Sequence, residues 1–132
     1  MSEIIKKYVE KHNISGIITF DEKGISGHPN HIDVHKSVKI FKRNNPDKTI
    51  KCFQLESVNI FRKYIGFFDI NYSLLAKYKF VNFNPFLPWK AMAIHSSQFV
   101  YYRKAFVLFS RYAFINTLES IEWVLTYGNL SE

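Results

Sequence analysis

The sequence is poor in cysteine and has no long uncharged run. Cys52 is the only cysteine among 132 residues, so no internal disulfide can form and a structural zinc site built from cysteines is excluded. No window of roughly 18 residues, the length of a helix that crosses a bilayer, is free of charge. We therefore predict no membrane-spanning helix within this sequence, and we expect Cys52 to be a small buried hydrophobic residue.

The composition is that of a globular protein with excess positive charge. Hydrophobic residues make up 47% and aromatic residues 17% of the chain, which argues against disorder. The net charge of +7 favours an anionic partner such as a phosphate group, nucleic acid or an acidic membrane surface, although basic residues that only keep the chain soluble give the same excess. The length suits one folding unit, so we predict a single domain over residues 1–132.

Predicted strands alternate with predicted helices along the chain. Helical spacing predicts a helix over residues 2–12, the run GIITF (16–20) predicts a buried strand, and a helix is expected from His31 to about Arg43. The elements predicted beyond it are a strand at 49–56, a helix at 57–68, a strand at 78–83, and one bent helix or two over 89–116. This order predicts an α/β layered fold with a mostly parallel sheet.

A histidine cluster occupies the loop after the first strand, in TFDEKGISGHPNHIDVHKSV (19–38). His28, His31 and His35 are three and four residues apart, so an early helix start would turn all three one way and allow a three-histidine zinc site. Pro29 instead places His28 at the very start of the helix, and the spacing alone is equally typical of surface or helix-capping histidines. The loop lies where α/β folds bind ligands, which favours a functional role.

Three blocks of sequence resemble one family in the same order. TFDEKGISGHPNH resembles the T-F-D and G-[VI]-S-G-H-x-N-H signature of the N-acetylglucosaminyl-phosphatidylinositol de-N-acetylases, the glycolipid-anchor branch of the LmbE-like zinc deacetylases. The second block, LESVNIFRKYIGFFDI (55–70), resembles the family's L-x-S-V-N-x-x-R-K-Y stretch. The third, KAMAIHSSQFVYYRKAFVLFSRYAFIN (90–116), resembles its A-M-x-x-H-x-S-Q helix. The resemblance spans residues 17 to about 118 and implies part of a Rossmann-like fold.

The resemblance assigns roles to residues of the histidine loop. His31 matches a zinc ligand of the family, and His28 matches the histidine that stabilises the oxyanion or protonates the leaving amine. Ser26, Asn30 and Arg62 are implied in substrate binding, with Asn30 orienting a neighbour. The lipid phosphate is expected to face one of four cations, Arg62, Lys63, Arg103 or Arg111. No family role matches His35, which we expect on the helix surface, and a packed, hydrogen-bonded histidine is expected at position 95.

The implied activity is the zinc-dependent hydrolysis of N-acetylglucosaminyl-phosphatidylinositol to glucosaminyl-phosphatidylinositol and acetate, a step of glycolipid-anchor biosynthesis. The implied partners are this glycolipid and the membrane surface, at the cytoplasmic face of the endoplasmic reticulum. Zinc supplies an activated water in such enzymes, and a neighbouring carboxylate removes its proton.

The family's A-H-P-D-D-E motif, which supplies the other zinc ligands and the base, has no counterpart in this sequence. The chain resembles the carboxyl-terminal half of the enzyme, without the N-terminal strands. A truncated gene model, a split enzyme completed by a second chain and a non-catalytic relative are all consistent with this. We expect the isolated chain to hold zinc weakly and to be inactive.

An alternative from another class is a basic interaction module that binds a membrane surface or nucleic acid. The stretch FVYYRKAFVLFSRY (99–112) interleaves aromatic residues with cations, as nucleic-acid-stacking proteins do. Its aromatic residues fall at helical spacing, however, which is more typical of packing, and nucleic acid is therefore the less favoured partner.

Overall fold

A computed structural model describes residues 1–46 and 49–122 of the chain. Its helices are α1 (Ser2–His12), α3 (Pro29–Asn44), α4 (Ile60–Tyr64), α5 (Phe86–Ile94) and α6 (Tyr101–Phe109), and α2 (Gly24–Gly27) is a single turn whose backbone is not helical at Ile25 and Ser26. The strands are β1 (Gly16–Phe20), β2 (Lys51–Leu55), β3 (Tyr78–Val81) and β4 (Ile115–Ser120). Three 3-10 turns lie at Gly66–Ile70, Ser96–Gln98 and Arg111–Ala113.

The four strands hydrogen-bond in the order β1-β2-β4-β3. The α/β class predicted from the sequence is confirmed, but the mostly parallel sheet is not, because β3 pairs with β4 antiparallel, from Tyr78 opposite Leu118 to Val81 opposite Ile115. Strand β4 was missing from the prediction, which extended the last helix to residue 116. In the structure a 3-10 turn ends at Ala113, and the chain leaves it in extended conformation.

Most predicted elements agree with the structure to within a few residues. Of the two alternatives predicted for 89–116, one bent helix or two, the structure has two, α5 and α6, and α5 begins earlier than predicted, at Phe86. The helix predicted over 57–68 is shorter, because α4 gives way to the 3-10 turn that starts at Gly66. Gly66 has a φ of +59°, which favours glycine and ends regular helix there. Within residues 1–46 and 49–122, no helix combines the length and the apolar character that crossing a membrane requires.

The chain forms two compact units, and each is described by itself. Among the described residues, unit 1 comprises 1–46, 49–54 and 120–122, and unit 2 comprises 55–119. The core of unit 1 is built on Val38 of α3, Cys52 of β2 and Ile121. Three partly buried isoleucines, Ile5, Ile17 and Ile50, pack against this core. The number of independently folding domains stays a prediction.

Cys52 is buried in this core, as the sequence predicts. Burial raises the pKa of its thiol above the ordinary value, and Lys42 opposes the shift by a smaller amount. When the pH exceeds the pKa that the Cys52 thiol has in the unfolded chain, the unfolded chain releases a proton that the folded chain keeps. Folding stability is therefore lost as the pH rises from about 8.5 toward the folded pKa.

We expect Cys52→Ala to remove this part of the pH dependence. Between pH 8 and 9.5 the wild-type free energy of unfolding should fall more steeply than that of the variant, by at most about 1.4 kcal/mol per pH unit. Urea denaturation of both proteins across this pH range measures the difference in slope. Equal slopes would show that the thiol titrates alike in the folded and unfolded chains.

Unit 2 contains a buried polar network. Asp69 and Arg111 are both fully buried, and Arg111 Nε lies 2.8 Å from Asp69 Oδ2. Ser73 Oγ donates a 2.7 Å hydrogen bond to the same carboxylate oxygen and accepts one from Arg111 Nη2 at 3.2 Å. Arg111 Nη2 also lies 3.2 Å from Thr117 Oγ1, which donates to Glu56 Oε2 at 2.7 Å. Acidic and hydroxyl groups thus surround a cation inside the unit.

Candidate functional site

The histidine loop of unit 1 turns sharply between β1 and α3. Gly24 and Gly27 have φ values of +56° and +74°, and Ile25, which is β-branched, has a φ of +66°. A Cβ atom on Gly24 would lie 3.0 Å from the Cβ of His31 and 3.1 Å from Cγ1 of Ile32. Glycine at position 24 therefore allows both the backbone conformation and the close approach of α3.

Two contacts hold the ring of His31, and neither of them involves its second ring nitrogen, Nε2. Its ring stacks on Phe20, with centroids 3.9 Å apart and planes within 9°. Its Nδ1 lies 3.1 Å from the carbonyl oxygen of Gly24. Because a carbonyl oxygen only accepts, Nδ1 carries the proton in this hydrogen bond, and in the neutral ring Nε2 carries the lone pair. Metal-binding histidines are commonly oriented by such a bond.

His28 lies beside His31 at the start of α3. The two ring centroids are 4.8 Å apart. His28 is the N-cap of α3, its carbonyl accepts from the backbone N–H groups of His31 and Ile32, and Pro29 occupies the first helical position. This turn of backbone places the two imidazoles side by side. Ser26 and Asn30, on either side of His28 in the sequence, are exposed.

His35 does not lie on the helix surface, and that expectation is wrong. Its side chain is buried, and its Nδ1 donates a 2.9 Å hydrogen bond to the carbonyl oxygen of Phe20. His35 follows His31 by four residues and so occupies the same face of α3, which packs against the end of β1. The two histidines thus fix α3 in place, His31 to the loop at Gly24 and His35 to the end of β1 at Phe20.

The residues that the structure describes do not complete a metal site. Across residues 1–46 and 49–122, no group of three or more His, Cys, Asp or Glu side chains is placed to hold a metal ion. Zinc usually takes three or four protein ligands. Asp21, which ends the T-F-D stretch, is buried, and its Oδ1 accepts a 3.2 Å hydrogen bond from the backbone N–H of Lys23. The described part of the loop therefore brings His31 and His28 together without completing a group of three such side chains.

Arg62, predicted to bind substrate, belongs to unit 2, where it pairs with Asp69. Its Nε and Nη2 donate to the two carboxylate oxygens of Asp69 at 2.8 and 3.1 Å. This bond is the largest cause of the raised pKa of Arg62. The family stretch also contains Asn59, whose side chain caps α4 by accepting from Arg62 N–H at 2.9 Å.

Two further expectations in unit 2 are corrected by the structure. Arg111 is fully buried and faces Asp69, so it does not present its charge at the surface. His95 is exposed instead of packed, and it borders a cleft of about 360 Å³ beside α5. The buried role of Arg111 was not recognisable from its neighbours in sequence, because its counter-ion lies forty-two residues earlier.

The chain is similar to three curated proteins of one activity. It is 35% identical over 156 residues to a probable N-acetylglucosaminyl-phosphatidylinositol de-N-acetylase of Dictyostelium discoideum, covering 92% of this chain and 60% of the relative. It is 34% identical over 122 residues to the protein of that name from Bos taurus, covering 89% and 48%. A probable one from Schizosaccharomyces pombe is 34% identical over 125 residues, covering 87% and 50%.

The chain therefore spans about half the length of the curated relatives it matches. No protein-family model and no solved structure matches it.

Proposed function

Because this chain belongs to the N-acetylglucosaminyl-phosphatidylinositol de-N-acetylase family, we propose that it supplies the histidine loop of a hydrolase that removes the acetyl group from N-acetylglucosaminyl-phosphatidylinositol. The observation that carries the proposal is the similarity of 87–92% of this chain to relatives with this name. The products are acetate and glucosaminyl-phosphatidylinositol, as in glycolipid-anchor biosynthesis. We propose the cytoplasmic face of the endoplasmic reticulum membrane as the place of reaction.

The geometry of the loop supports roles for His31 and His28. With Nδ1 of His31 held by Gly24, its Nε2 is suited to be one ligand of a zinc ion. Zinc is thus the proposed cofactor, which in such hydrolases supplies an activated water. The remaining ligands and the general base are proposed to come from residues other than those described here, either in the same protein or in a second chain.

We propose His28 as the acid of the reaction. It is exposed beside His31, so its imidazolium can hold a proton near the acetamide, stabilise the oxyanion and then protonate the leaving amine. Ser26 and Asn30 flank it and are proposed to contact the sugar. Arg62 is proposed in substrate binding only through the part of its guanidinium that Asp69 does not engage.

A chimera tests this function. The matching segment of the Dictyostelium relative is replaced by this chain, and release of acetate from the glycolipid is measured. We expect the chimera to be active, His31→Ala to abolish turnover, and His28→Ala to lower it by about 10² to 10⁴-fold. The control is Asp33→Asn, a substitution at an exposed position of α3, and this variant should retain full activity.

Two outcomes would contradict the proposal. One is a folded chimera without activity beside an active parent protein. The other is a chimera whose activity survives His31→Ala, since a metal ligand is indispensable whereas a surface histidine is not. The isolated chain should be inactive in the same assay and should bind zinc weakly in a competition with a chelating dye.

A further inference from the structure

We infer that unit 2 docks on the surface of an anionic phospholipid bilayer through α5 and α6. The inference goes beyond the proposed hydrolysis, because it depends on the exposed surface of unit 2 and not on the histidine loop. It would stand if this chain proved to be catalytically inactive. Four features of the unit carry it.

The first feature is the apolar character of α5. Its sequence FLPWKAMAI contains one charged residue, and none of its residues is buried. Phe86, Leu87 and Ile94 are 67, 60 and 81% exposed. A helix that is apolar on all sides normally lies inside a protein or against lipid. Leaving it in water would forgo the free energy of burying these side chains.

The second feature is the apolar face of α6 and the cleft beside it. Tyr101, Tyr102 and Phe109 are between 60 and 87% exposed, and Leu108 is half exposed. A cleft of about 490 Å³ adjoins the helix, and Arg103 is the one charged side chain among its described lining residues. Its apolar lining includes Tyr64, Met92 and Phe106. The cleft offers a place for an acyl chain.

The third feature is the charge of the same unit. Residues 57–118 contain eight Lys and Arg but a single acidic residue, Asp69. Asp69 is fully buried and paired with Arg62 and Arg111. Acidic side chains reach the surface of unit 2 only near its two ends, at Glu56 and Glu119. This segment therefore presents a positive surface, which anionic lipid headgroups attract.

The fourth feature is the pairing of cations with aromatic rings. Lys104 Nζ lies 4.7 Å from the ring centre of Phe99, and the guanidinium of Arg103 lies 5.8 Å from that of Tyr102. Lys63 makes a similar contact with Tyr64, at 5.9 Å. Aromatic rings and long cationic side chains are both suited to the headgroup region, where an apolar body meets water and phosphate.

A bilayer fits these four features better than other partners do. A second copy of the chain would bring two positive surfaces together, which is unfavourable. Nucleic acid would satisfy the charge, but it has no apolar phase for Leu87, Ile94 and Leu108. An anionic bilayer offers phosphates for the cations and an acyl boundary for the apolar residues, as it does for helices that lie in the membrane plane.

Vesicle sedimentation tests the inference on the full chain. Vesicles of phosphatidylcholine alone are compared with vesicles in which phosphatidylserine replaces part of the phosphatidylcholine. We expect binding to the anionic vesicles and much weaker binding to the neutral ones. Replacing Arg103 and Lys104 by Gln should weaken anionic binding by roughly thirty-fold. Lys36→Gln with Lys39→Gln in unit 1 is the matched control and should change it little.

The apolar contribution is tested by Leu87→Ser with Ile94→Ser, which should also release the chain from anionic vesicles. The matched control is Ile4→Ser with Ile18→Ser, which removes two comparably exposed isoleucines of unit 1. Far-UV circular dichroism of each variant checks whether folding is retained. With Trp123→Phe, Trp89 of α5 becomes the only tryptophan, and brominated lipid should quench its fluorescence.

Four results would overturn the inference. They are equal binding to neutral and anionic vesicles, an equal loss in the unit 1 controls, absence of quenching of Trp89, and absence of vesicle binding. Tight, salt-sensitive binding of an oligonucleotide without vesicle binding would assign the surface to nucleic acid instead. Self-association without vesicle binding, measured by analytical ultracentrifugation, would assign it to a second copy. None of these measurements depends on acetate release by the chimera, so this inference and the proposed hydrolysis are tested separately.

Discussion

Asp69→Asn is expected to lower the free energy of unfolding by about 3 to 5 kcal/mol, because it leaves a buried cation without its counter-ion. Arg111 is fully buried. Burial lowers the pKa of its guanidinium, and the charge of Asp69 acts in the opposite direction. An arginine stays protonated at any ordinary pH, so the chain cannot relieve the loss by releasing a proton.

The rest of the network does not replace the missing carboxylate. Nε–H of Arg111 is close to Asp69 but is not aimed at it, and Nη1 has no hydrogen-bond partner among the described residues. Within the part of the chain that the structure describes, Nη2 is bonded only to the hydroxyls of Ser73 and Thr117. The charge of Arg111 is therefore balanced mainly by its proximity to Asp69, and Asn removes that charge while preserving the shape.

Urea denaturation followed by circular dichroism measures the change in stability. The control is Asp33→Asn, which removes the carboxylate of an ion pair with Lys36 whose side chains are both 66% exposed. Exposed pairs contribute little, so this variant should change stability by less than about 1 kcal/mol. Similar losses in the two variants would show that the buried network does not stabilise the fold.

Gly24→Ala is expected to destabilise the chain by roughly 2 to 4 kcal/mol, from backbone strain and a steric clash together. The φ of +56° is unfavourable for a residue with a Cβ atom. The added methyl would also meet Cβ of His31 at 3.0 Å, and this contact is with the rigid start of a side chain. Relief requires a shift of α3, which would lengthen the bond from His31 Nδ1 to the carbonyl of Gly24.

Gly27→Ala separates the two causes. Gly27 also has a positive φ, of +74°, but a Cβ atom there would meet nothing within 4 Å. Only the conformational cost of about 1 kcal/mol remains. Denaturation midpoints of the two variants measure their stability. Nitrogen NMR shifts of the His31 ring measure its tautomer. If the two losses are equal, the contact with His31 has no energetic effect.

The local elements around the histidine loop were predictable because their signals are local. GIITF shows a β-branched run, and Gly24, Gly27 and Pro29 mark a turn into a helix. The burial of His35 carried a signal too, since helical spacing places it on one face with His31 and Val38. The prediction placed His35 on the surface because no family role matched it, and it did not use this periodicity.

The non-local features were not predictable from one sequence. Strand β4 follows apolar residues that continue a helical spacing, and its conformation depends on pairing with β3, more than thirty residues earlier. The burial of Arg111 likewise depends on Asp69, whose proximity no local pattern indicates. Sequence motifs identified the histidines, whereas tertiary contacts determined how each one is held.

The hydrogen bonds that join Glu56 to the end of unit 2 bear on how the chain folds during synthesis. Glu56 Oε2 accepts from Thr117 Oγ1 at 2.7 Å, its backbone oxygen accepts from Tyr112 Oη at 3.1 Å, and its N–H donates to the oxygen of Thr117 at 3.0 Å. These contacts join residues more than fifty positions apart, and closing so long a loop is slow. Residue 117 must therefore have left the ribosome before unit 2 can fold. Until then its aromatic residues stay open to chaperones.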